Sequence, residues 1–460
     1  MTRFEWYKWN WTKNYRKIKN FFDLRLVFIL LFVKVTLILK IIFFEFDIIS
    51  LLFFLLFFIF SLIKVRFILL DLSAFAIILA MYFIIKYFNS NLLFNDGIYK
   101  VVYKDTIQYV VKNKYYKYIF YDSDNSYNVG DFLQIKAKSF RSSWQIKNYY
   151  LLSKRISGVI EYSKIDLVSN SWTLYKSLYE YSSNSSIYFQ KYFMLLSLGY
   201  SNDISQEVYN QTKNLGILHI IVISGFHFSL IYKFLSYITL KLKIKFNELL
   251  CIFLIFIYYL LVNKNVSSNR AFFSIIFSYI TSKFFKQKFK LIIPFFIGTI
   301  ALIFNPFLLN SKGFWYTYVI TFFIVLVNEL KVKRFNKINK CFWYILLNFL
   351  IYLVSFQLGL AFNDSFNLIA FLNCLILIPL SQFLIINSIF LWFFKSYLSI
   401  IYKILDVLLE FLSYISYQII LSFRISYKLI SIVIFNEIFM VYFLTFSKIK
   451  FKKEIKRLYN

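Results

Sequence analysis

The sequence predicts a polytopic α-helical membrane protein with about 11–13 spans and a small extracytoplasmic β-domain, an OB-like β-barrel. Hydrophobic residues make up 60% of the 460 residues, and the mean hydropathy is +0.63. Uncharged apolar runs recur along the chain, such as residues 48–63 and 249–262. Because apolar segments of about 20 residues match the hydrocarbon thickness of a bilayer, these runs predict spanning helices. A polar, turn-rich interruption at residues 95–166 predicts the β-domain.

The N-terminal region predicts an arm followed by three spans. Residues 1–25 are basic and aromatic without a small-residue cleavage site, which predicts a retained cytoplasmic arm rather than a secretory signal. Three apolar runs follow at residues 26–44, 48–63 and 67–88. The first connecting loop is acidic and the second is basic, so the positive-inside rule places the second loop in the cytoplasm. The third span then ends outside, and the segment after it is extracytoplasmic.

Residues 95–166 alternate short β-prone runs with turn signals such as Asn95-Asp96-Gly97. Five short strands in about 70 residues favour a small barrel or sandwich, and an OB-like barrel is the leading interpretation. The predicted strands are residues 99–103, 106–111, 115–121, 132–137 and 144–152.

Basic and aromatic side chains interleave in this domain, as a surface that binds single-stranded DNA requires for phosphate contact and base stacking. Residues 97–166 carry twelve basic and six acidic side chains, a net charge of +6. The alternative is a β-domain that only shares the lysine and tyrosine enrichment of the whole chain, whose formal charge is +31. The candidate DNA contacts are Lys112, Lys114, Lys117, Lys136, Lys138 and Arg141.

The remaining chain divides into three parts. Residues 171–215 are polar and predict amphipathic, interfacial helices that end at Gly216, a common helix-stop residue. Residues 216–446 hold about eight to ten further apolar spans. Residues 447–460 form a basic tail, which the positive-inside rule places in the cytoplasm. A multi-pass protein of the cytoplasmic membrane is therefore expected.

The only two histidines of the chain, His219 and His227, flank Ser224-Gly225 inside an apolar run. On a continuous helix they lie about 12 Å apart along the axis, farther than the three- or four-residue spacing of helical metal motifs. No carboxylate lies between them, so a metal site is not favoured. Ser224 and His227 can face each other at i, i+3, but no third group that would orient a catalytic pair is visible. The pattern favours a polar lining in a helix bundle, with interhelical packing as the alternative.

Arg270 lies just off a stripe of small residues formed by Ser267, Ala271, Ser274 and Ser278. An arginine is costly inside a span and usually lies at its end or in a wet cavity. Its guanidinium fork suits bidentate binding of a phosphate. The sequence leaves two roles open, phosphate binding and anchoring of the helix at the membrane interface.

Segments 195–205, 215–219 and 223–227 together resemble the signature of the ComEC-type competence family, in which Gly-Leu-x-His-Leu-Leu-x-x-Ser-Gly-Leu-His follows a leucine-rich helix. Three further similarities come in the family's order: Ser267-Ser268-Asn269-Arg270-Ala271, the loop from Asn305-Pro306 to Gly313-Phe314, and Leu372-Asn373 to Pro379-Leu380. Phe226 replaces a leucine of the signature, and a proline that the family often has upstream of Asn373 is missing. The resemblance covers residues 26–446.

The resemblance implies a channel that passes single-stranded DNA across the cytoplasmic membrane during natural transformation. Many family members continue into a metallo-β-lactamase-like nuclease domain, whose zinc cluster needs more histidines than the two present here. Nor does the sequence hold a P-loop motif. The residues expected to form the channel core are His219, Ser224, Gly225, His227, Arg270 and Asn373.

The protein is accordingly not expected to be an enzyme, and no catalytic residue, metal or cofactor is expected. Its expected partners are single-stranded DNA, the lipid bilayer, and a DNA receptor, an ATPase and a nuclease as separate proteins. A homo-oligomer is left open. The alternatives are a carrier or flippase for a lipid-linked or small anionic substrate, and an inactive relic of the channel.

Overall fold

The computed structural model describes residues 31–44, 65–90, 92, 94–104, 107–122, 127–201, 203–285, 292–330, 337–362, 365–367, 369–416 and 418–420. Within these residues the protein is mostly helical, with a small five-stranded sheet and a two-stranded sheet. The predicted arm at 1–25, the predicted second span at 48–63 and the predicted tail at 447–460 lie outside the described residues.

Two helices precede the five-stranded sheet. Residues 31–43 are helical (α1), and α2 spans Val65–Ser90. The described part of the first predicted span and the whole of the third therefore fall on helices. Leu39 of α1 and Ile78 of α2 belong to one buried apolar cluster with Ile297 and Phe314, which come from the second half of the chain. The N-terminal helices thus share a core with the later ones.

Five strands form the β-domain, residues 97–169. They pair in the order β1-β2-β3-β5-β4, and β4 also pairs with β1, so the sheet closes on itself. All of these pairs are antiparallel except β3 with β5. Tyr109, Tyr118 and Phe120 are almost fully buried in its interior. The strands are β1 Gly97–Lys104, β2 Gln108–Lys112, β3 Lys117–Tyr121, β4 Phe132–Ser142 and β5 Gly158–Ser169.

The predicted strand at residues 144–152 is wrong, and β5 was not predicted. A turn leads instead into a short helix, α3 Tyr149–Ser153. The Asn148 side chain caps the start of this helix, because it accepts the backbone N–H of Leu151 at 3.2 Å. Lys147 and Arg155 have positive φ angles of 50° and 58°, which turn the chain before and after this helix. The Asn148 cap and the two positive-φ residues therefore favour a short helix at the place of the predicted strand.

The helical domain follows β5. This domain also contains two short strands, β6 Ser365–Asn367 and β7 Gln418–Ile420, which pair with each other antiparallel. Its helices are α4 Leu174–Ser183, α5 Ile187–Leu198, α6 Asp203–Asn214, α7 Leu218–Ile221, α8 Gly225–Lys241, α9 Asn247–Leu261, α10 Val266–Phe285, α11 Ile292–Phe304, a 3-10 helix Pro306–Asn310, α12 Lys312–Leu330, α13 Lys337–Phe362, α14 Ala370–Phe390 and α15 Lys395–Ile415.

The β-domain contacts the helical domain through α3. The Asn305 side chain donates from Nδ2 to the carbonyl oxygen of Ser153 at 2.8 Å. The rings of Tyr149 and Phe307 stack with centroids 6.3 Å apart. These contacts fix the β-domain to the loop between α11 and α12.

Two segments among the described residues are long and apolar enough to cross a membrane, Leu218–Lys241 and α14. Shorter apolar helical segments lie at Ser73–Phe88, α9, α11 and Tyr344–Gly359. The coarse expectation, a mostly helical protein with apolar spans and a small sheet, agrees with these findings. The number of spans stays a prediction.

Helices α5, α6 and α15 meet at a buried ion pair. Lys191 Nζ lies 2.9 Å from Asp406 Oδ1 and 3.4 Å from Glu207 Oε2, and the Tyr192 hydroxyl also donates to Asp406. The side chains of Lys191 and Asp406 are only 12% and 10% exposed. Burial lowers the pKa of Lys191, but the hydrogen bond and charge of Asp406, together with Glu207, raise this pKa overall. Lys191 therefore keeps its charge, and its ion pairs join the three helices.

Candidate functional site

The longer candidate span is broken near its start. Val222 and Ser224 have extended backbones, with ψ angles of 141° and 176°, so α7 ends at Ile221 and α8 begins at Gly225. The separation of about 12 Å predicted for the two histidines assumed one continuous helix, and that helix does not form. A break in an apolar helix leaves backbone N–H and C=O groups that other groups must satisfy.

Ser224 and His227 together cap the start of α8. The Ser224 hydroxyl accepts the N–H of Phe226 at 3.3 Å, and His227 Nδ1 accepts the N–H of Ser224 at 3.3 Å. Ser224 Oγ lies 3.4 Å from His227 Nδ1. The arrangement is a reciprocal capping box. The predicted i, i+3 contact therefore exists, and its hydrogen bonds serve the backbone of the break.

Contacts from distant parts of the chain hold the break in place. The Asn265 side chain donates from Nδ2 to the carbonyl oxygen of Ile223 at 3.3 Å. Ile223 packs on Gly199, where a Cβ atom would lie 2.9 Å from Ile223 Cγ1. Gly199 has φ 72° and ends α5, so a glycine satisfies both the left-handed turn and the close approach.

Arg270 of α10 lies against the first residue of α8. The side chain is buried, with 7% exposure, and its Nη1 donates to the carbonyl oxygen of Thr317 at 3.1 Å. A Cβ atom on Gly225 would lie 2.0 Å from Arg270 Nη2, so only a glycine lets the guanidinium approach this closely. Among the described residues no acidic side chain forms an ion pair with Arg270.

Two buried nitrogen atoms at this place have no hydrogen-bond partner within the described part of the chain: Arg270 Nε and His227 Nε2. The His227 side chain is completely buried. Because its Nδ1 accepts a hydrogen bond, the neutral ring carries its proton on Nε2, which makes that atom a donor. Unpartnered buried donors are rare, because each one costs free energy.

The other two predicted core residues lie elsewhere. His219 is exposed on α7 and forms no hydrogen bond with any described residue. Asn373 of α14 is buried and donates from Nδ2 to the carbonyl oxygen of Leu215 at 3.2 Å and to Ser416 Oγ at 3.3 Å. Asn373 therefore supports the turn before α7, and the structure brings together only Ser224, Gly225, His227 and Arg270.

A row of lysines crosses three strands of the β-domain. Lys112 pairs in register with Lys100 on β1 and with Lys117 on β3. Directly opposed residues lie on the same face of a sheet, so these three cations are neighbours. Burial lowers the pKa of Lys117, and the positive charges of Lys112, Arg155 and Lys264 lower it further. The last of these, Lys264, belongs to the loop that leads into α10.

A shallow groove of about 340 Å³ lies beside this row. Lys100 Nζ is 5.4 Å from the centroid of the Phe132 ring, which gives the groove one aromatic surface with a cation above it. Lys100 and Phe132 were not among the predicted contacts. They come to lie beside Lys112 through the register of the strands, which the sequence alone does not reveal. The groove is lined by Ile98, Lys100, Val102, Lys112, Asn113, Lys114 and Phe132.

The remaining predicted DNA contacts, Lys136, Lys138 and Arg141, lie on β4. Arg141 Nη2 is 3.5 Å from Glu161 Oε1, and both side chains are mostly exposed. Lys136 pairs in register with Lys164, which itself lies 2.9 Å from Asp166 Oδ2. Of these six predicted residues, the structure places Lys112 and Lys114 in the groove, with Lys117 next to Lys112.

A known family model matches more than half of the chain. The family model described as Competence protein matches residues 196–451. The matched region contains α8, Arg270 and Asn373, and the segments that were similar in sequence meet in space, with Gly199 on Ile223 and Arg270 on Gly225. No curated protein and no solved structure matches the chain. The resemblance to the ComEC-type family is thereby confirmed, and the chain belongs to the competence protein family.

Proposed function

We propose that this protein is a multi-pass membrane channel that passes single-stranded DNA. Membership of the competence family supports a role in DNA uptake. The observation that carries the channel role is the cationic, donor-rich start of α8, which lies inside a candidate span. Polar and ionisable groups inside membrane segments usually face a bundle interior or a water-filled path.

The surface of the helical domain supports a position in the membrane. Phe253 of α9, Leu372 of α14 and Phe411 of α15 are each more than half exposed. Soluble monomers rarely leave many large apolar side chains of neighbouring helices in water. Lipid around these helices explains the exposure. In this proposal several helices span the membrane in addition to the two candidates.

The β-domain supports the same function as an OB-like module. Its strand order closes a five-stranded sheet, and its groove combines lysines with an aromatic ring. Single-stranded DNA is bound by such surfaces through phosphate contacts and base stacking. In this proposal the groove receives the strand outside the membrane, and the start of α8 lies on its path. Hydrolysis and energy supply belong to separate partner proteins, and this chain carries out no catalysis.

Uptake of labelled DNA by cells that produce variants of the chain tests the proposal. Arg270→Ala and His227→Ala should abolish uptake at wild-type protein levels, because each removes donors at the start of α8. Lys283→Ala is the matched control, since it removes a cation from the exposed last turn of the same helix α10. Normal uptake in both core variants, or in cells that lack the protein, would contradict the channel. Loss of transport of a small anion with unchanged DNA uptake would favour a carrier.

A further inference from the structure

We propose that the start of α8 and the Arg270 guanidinium form a binding site for one phosphodiester group. The inference rests on the proposed function in one respect, since it takes the backbone of single-stranded DNA as the source of that group. The site consists of the Gly225 N–H and the Arg270 guanidinium, and the buried Nε2–H of His227 belongs to the same first turn of α8.

The electrostatics of this place favour an anion. The N-terminal end of a helix carries a partial positive charge, and α8 has 17 residues. The guanidinium of Arg270 lies against this end, at Gly225, and no described carboxylate neutralises it. Two positive groups in contact inside a protein are costly unless an anion lies between them or beside them.

The described hydrogen-bonding groups that lack a partner near the start of α8 are all donors. At the start of α8 the N–H groups of Ser224, Phe226 and His227 have partners, and the N–H of Gly225 has none among the described residues. Arg270 Nε and His227 Nε2 are buried and also lack a partner in the described chain. A ligand here must therefore supply several acceptor oxygens and no donors, which describes a phosphodiester monoanion.

Lys264 adds one further cation near this site. Lys264 lies six residues before Arg270, and its positive charge acts on Lys117 at the edge of the lysine row. Asn265, its neighbour, holds the carbonyl of Ile223 at the break. Positive charge beside both the lysine row and the start of α8 suits a chain of phosphates rather than an isolated small anion.

Gly225 provides a variant that keeps every charge. A Cβ atom there would lie 2.0 Å from Arg270 Nη2 and would displace the guanidinium from the helix start. Gly225 lies in α8 with no positive φ, so alanine suits its backbone. Gly359→Ala is the matched control, because the nearest atom to its Cβ would be Tyr316 Oη at 3.7 Å, an ordinary contact.

The test measures binding of dimethyl phosphate, the smallest phosphodiester, to the purified full chain in maltoside micelles, by ligand-dependent thermal stabilisation. Wild type should bind dimethyl phosphate and not its neutral analogue trimethyl phosphate. Arg270→Ala and Gly225→Ala should each weaken binding by at least about tenfold, the size expected for lost charge-assisted hydrogen bonds. Arg270→Lys should lie between wild type and Arg270→Ala, since lysine keeps the charge without the fork. Gly359→Ala and Lys283→Ala should bind like wild type.

Unchanged binding in Gly225→Ala and Arg270→Ala would overturn the site, as would equal binding of trimethyl phosphate. A second arm separates the sources of the phosphate. In a chain with Lys100, Lys112 and Lys114 changed to alanine, oligothymidylate should displace dimethyl phosphate, and its uncharged methylphosphonate analogue should not. Displacement by short-chain phosphatidylglycerol but not by oligothymidylate would assign the site to a lipid headgroup and overturn the proposal.

Failure of the site and failure of the channel are distinguishable. If Arg270→Ala loses phosphate binding while cells that carry it take up DNA normally, the site stands and the proposed function fails. If the same variant blocks uptake while phosphate binding is unchanged, the channel stands and the phosphodiester site is overturned.

Discussion

Two buried cations of the helical domain differ in what surrounds them. Lys191 lies 2.9 Å from Asp406, and the Tyr192 hydroxyl completes the pair. Arg270 is at least as buried, but its described neighbours are a carbonyl oxygen, a helix start and a glycine. The charge of Lys191 is compensated inside the protein, whereas a buried charge without a counter-ion is costly, which is the basis of the proposed phosphodiester site.

The β-domain repeats this contrast at its surface. On β4 and β5 the basic side chains Arg141 and Lys164 lie near Glu161 and Asp166. In the groove, Lys100, Lys112 and Lys114 form no ion pair with any described residue. The groove therefore has unpaired positive charge to offer to a ligand, whereas the charges of Arg141 and Lys164 are already balanced.

The largest expected effect is on stability, at the neutralised cation. Asp406→Asn removes the charge that balances Lys191 and should lower the free energy of unfolding by about 3 to 5 kcal/mol. Chemical denaturation in micelles measures it. Glu207→Gln is the control, because Glu207 is the exposed partner of the same lysine and should cost less than about 1 kcal/mol. Equal losses in the two variants would show that burial of the pair does not matter.

The next effect concerns the unpaired lysines of the groove. Changing Lys100, Lys112 and Lys114 to alanine should weaken binding of oligothymidylate, because three phosphate contacts are lost. It should also reduce the salt dependence, with a slope of log K against log salt smaller by about 2. Titrations at several salt concentrations with fluorescent oligothymidylate measure both. A slope equal to that of wild type would exclude the groove as the DNA contact.

A smaller effect is expected from the aromatic surface of the groove. Phe132→Ala should weaken binding of oligothymidylate by about tenfold, since one stacked base is lost. The salt dependence should stay the same, because no charge changes. The same titrations test this prediction, and a changed slope would mean that Phe132 acts by positioning Lys100 rather than by stacking.

Arg141→Ala should change binding by less than about twofold, because this arginine is already paired with Glu161 on an exposed surface. It is the matched control for the groove variants, since it also removes one cation from the β-domain. A loss as large as that of the groove triple variant would move the DNA contact to β4 and reverse the contrast between the two surfaces.

The smallest effect on stability is expected at Arg270. Arg270→Met fills similar space without a charge, so the unfolding temperature should be unchanged or higher, because the cost of an unpaired buried cation disappears. Thermal unfolding followed by tryptophan fluorescence measures it. A large drop would mean that Arg270 stabilises the fold as Lys191 does.

Features that depend on residues close together in the sequence could be predicted. Four of the five predicted strands overlap β1 to β4, since alternating apolar residues and turn signals act within a few positions. Gly216 ends its helix region with φ 73°, as a helix-stop glycine does. The prediction of a strand at 144–152 was wrong, because Asn148 and two positive-φ residues favour a short capped helix. The β-prone composition of this segment does not reveal that helix.

By itself, then, the sequence determined the apolar class, the β-domain, the family signature and the types of residue at the site. Only the tertiary structure decided which of these residues meet. In the structure the helix is interrupted between the two histidines, and His219 is exposed. Asn373 bonds to a turn, and Arg270 lies against Gly225. The physical reason is range: composition and turn chemistry act locally, whereas strand register, charge pairing and close backbone approach depend on residues far apart in the chain.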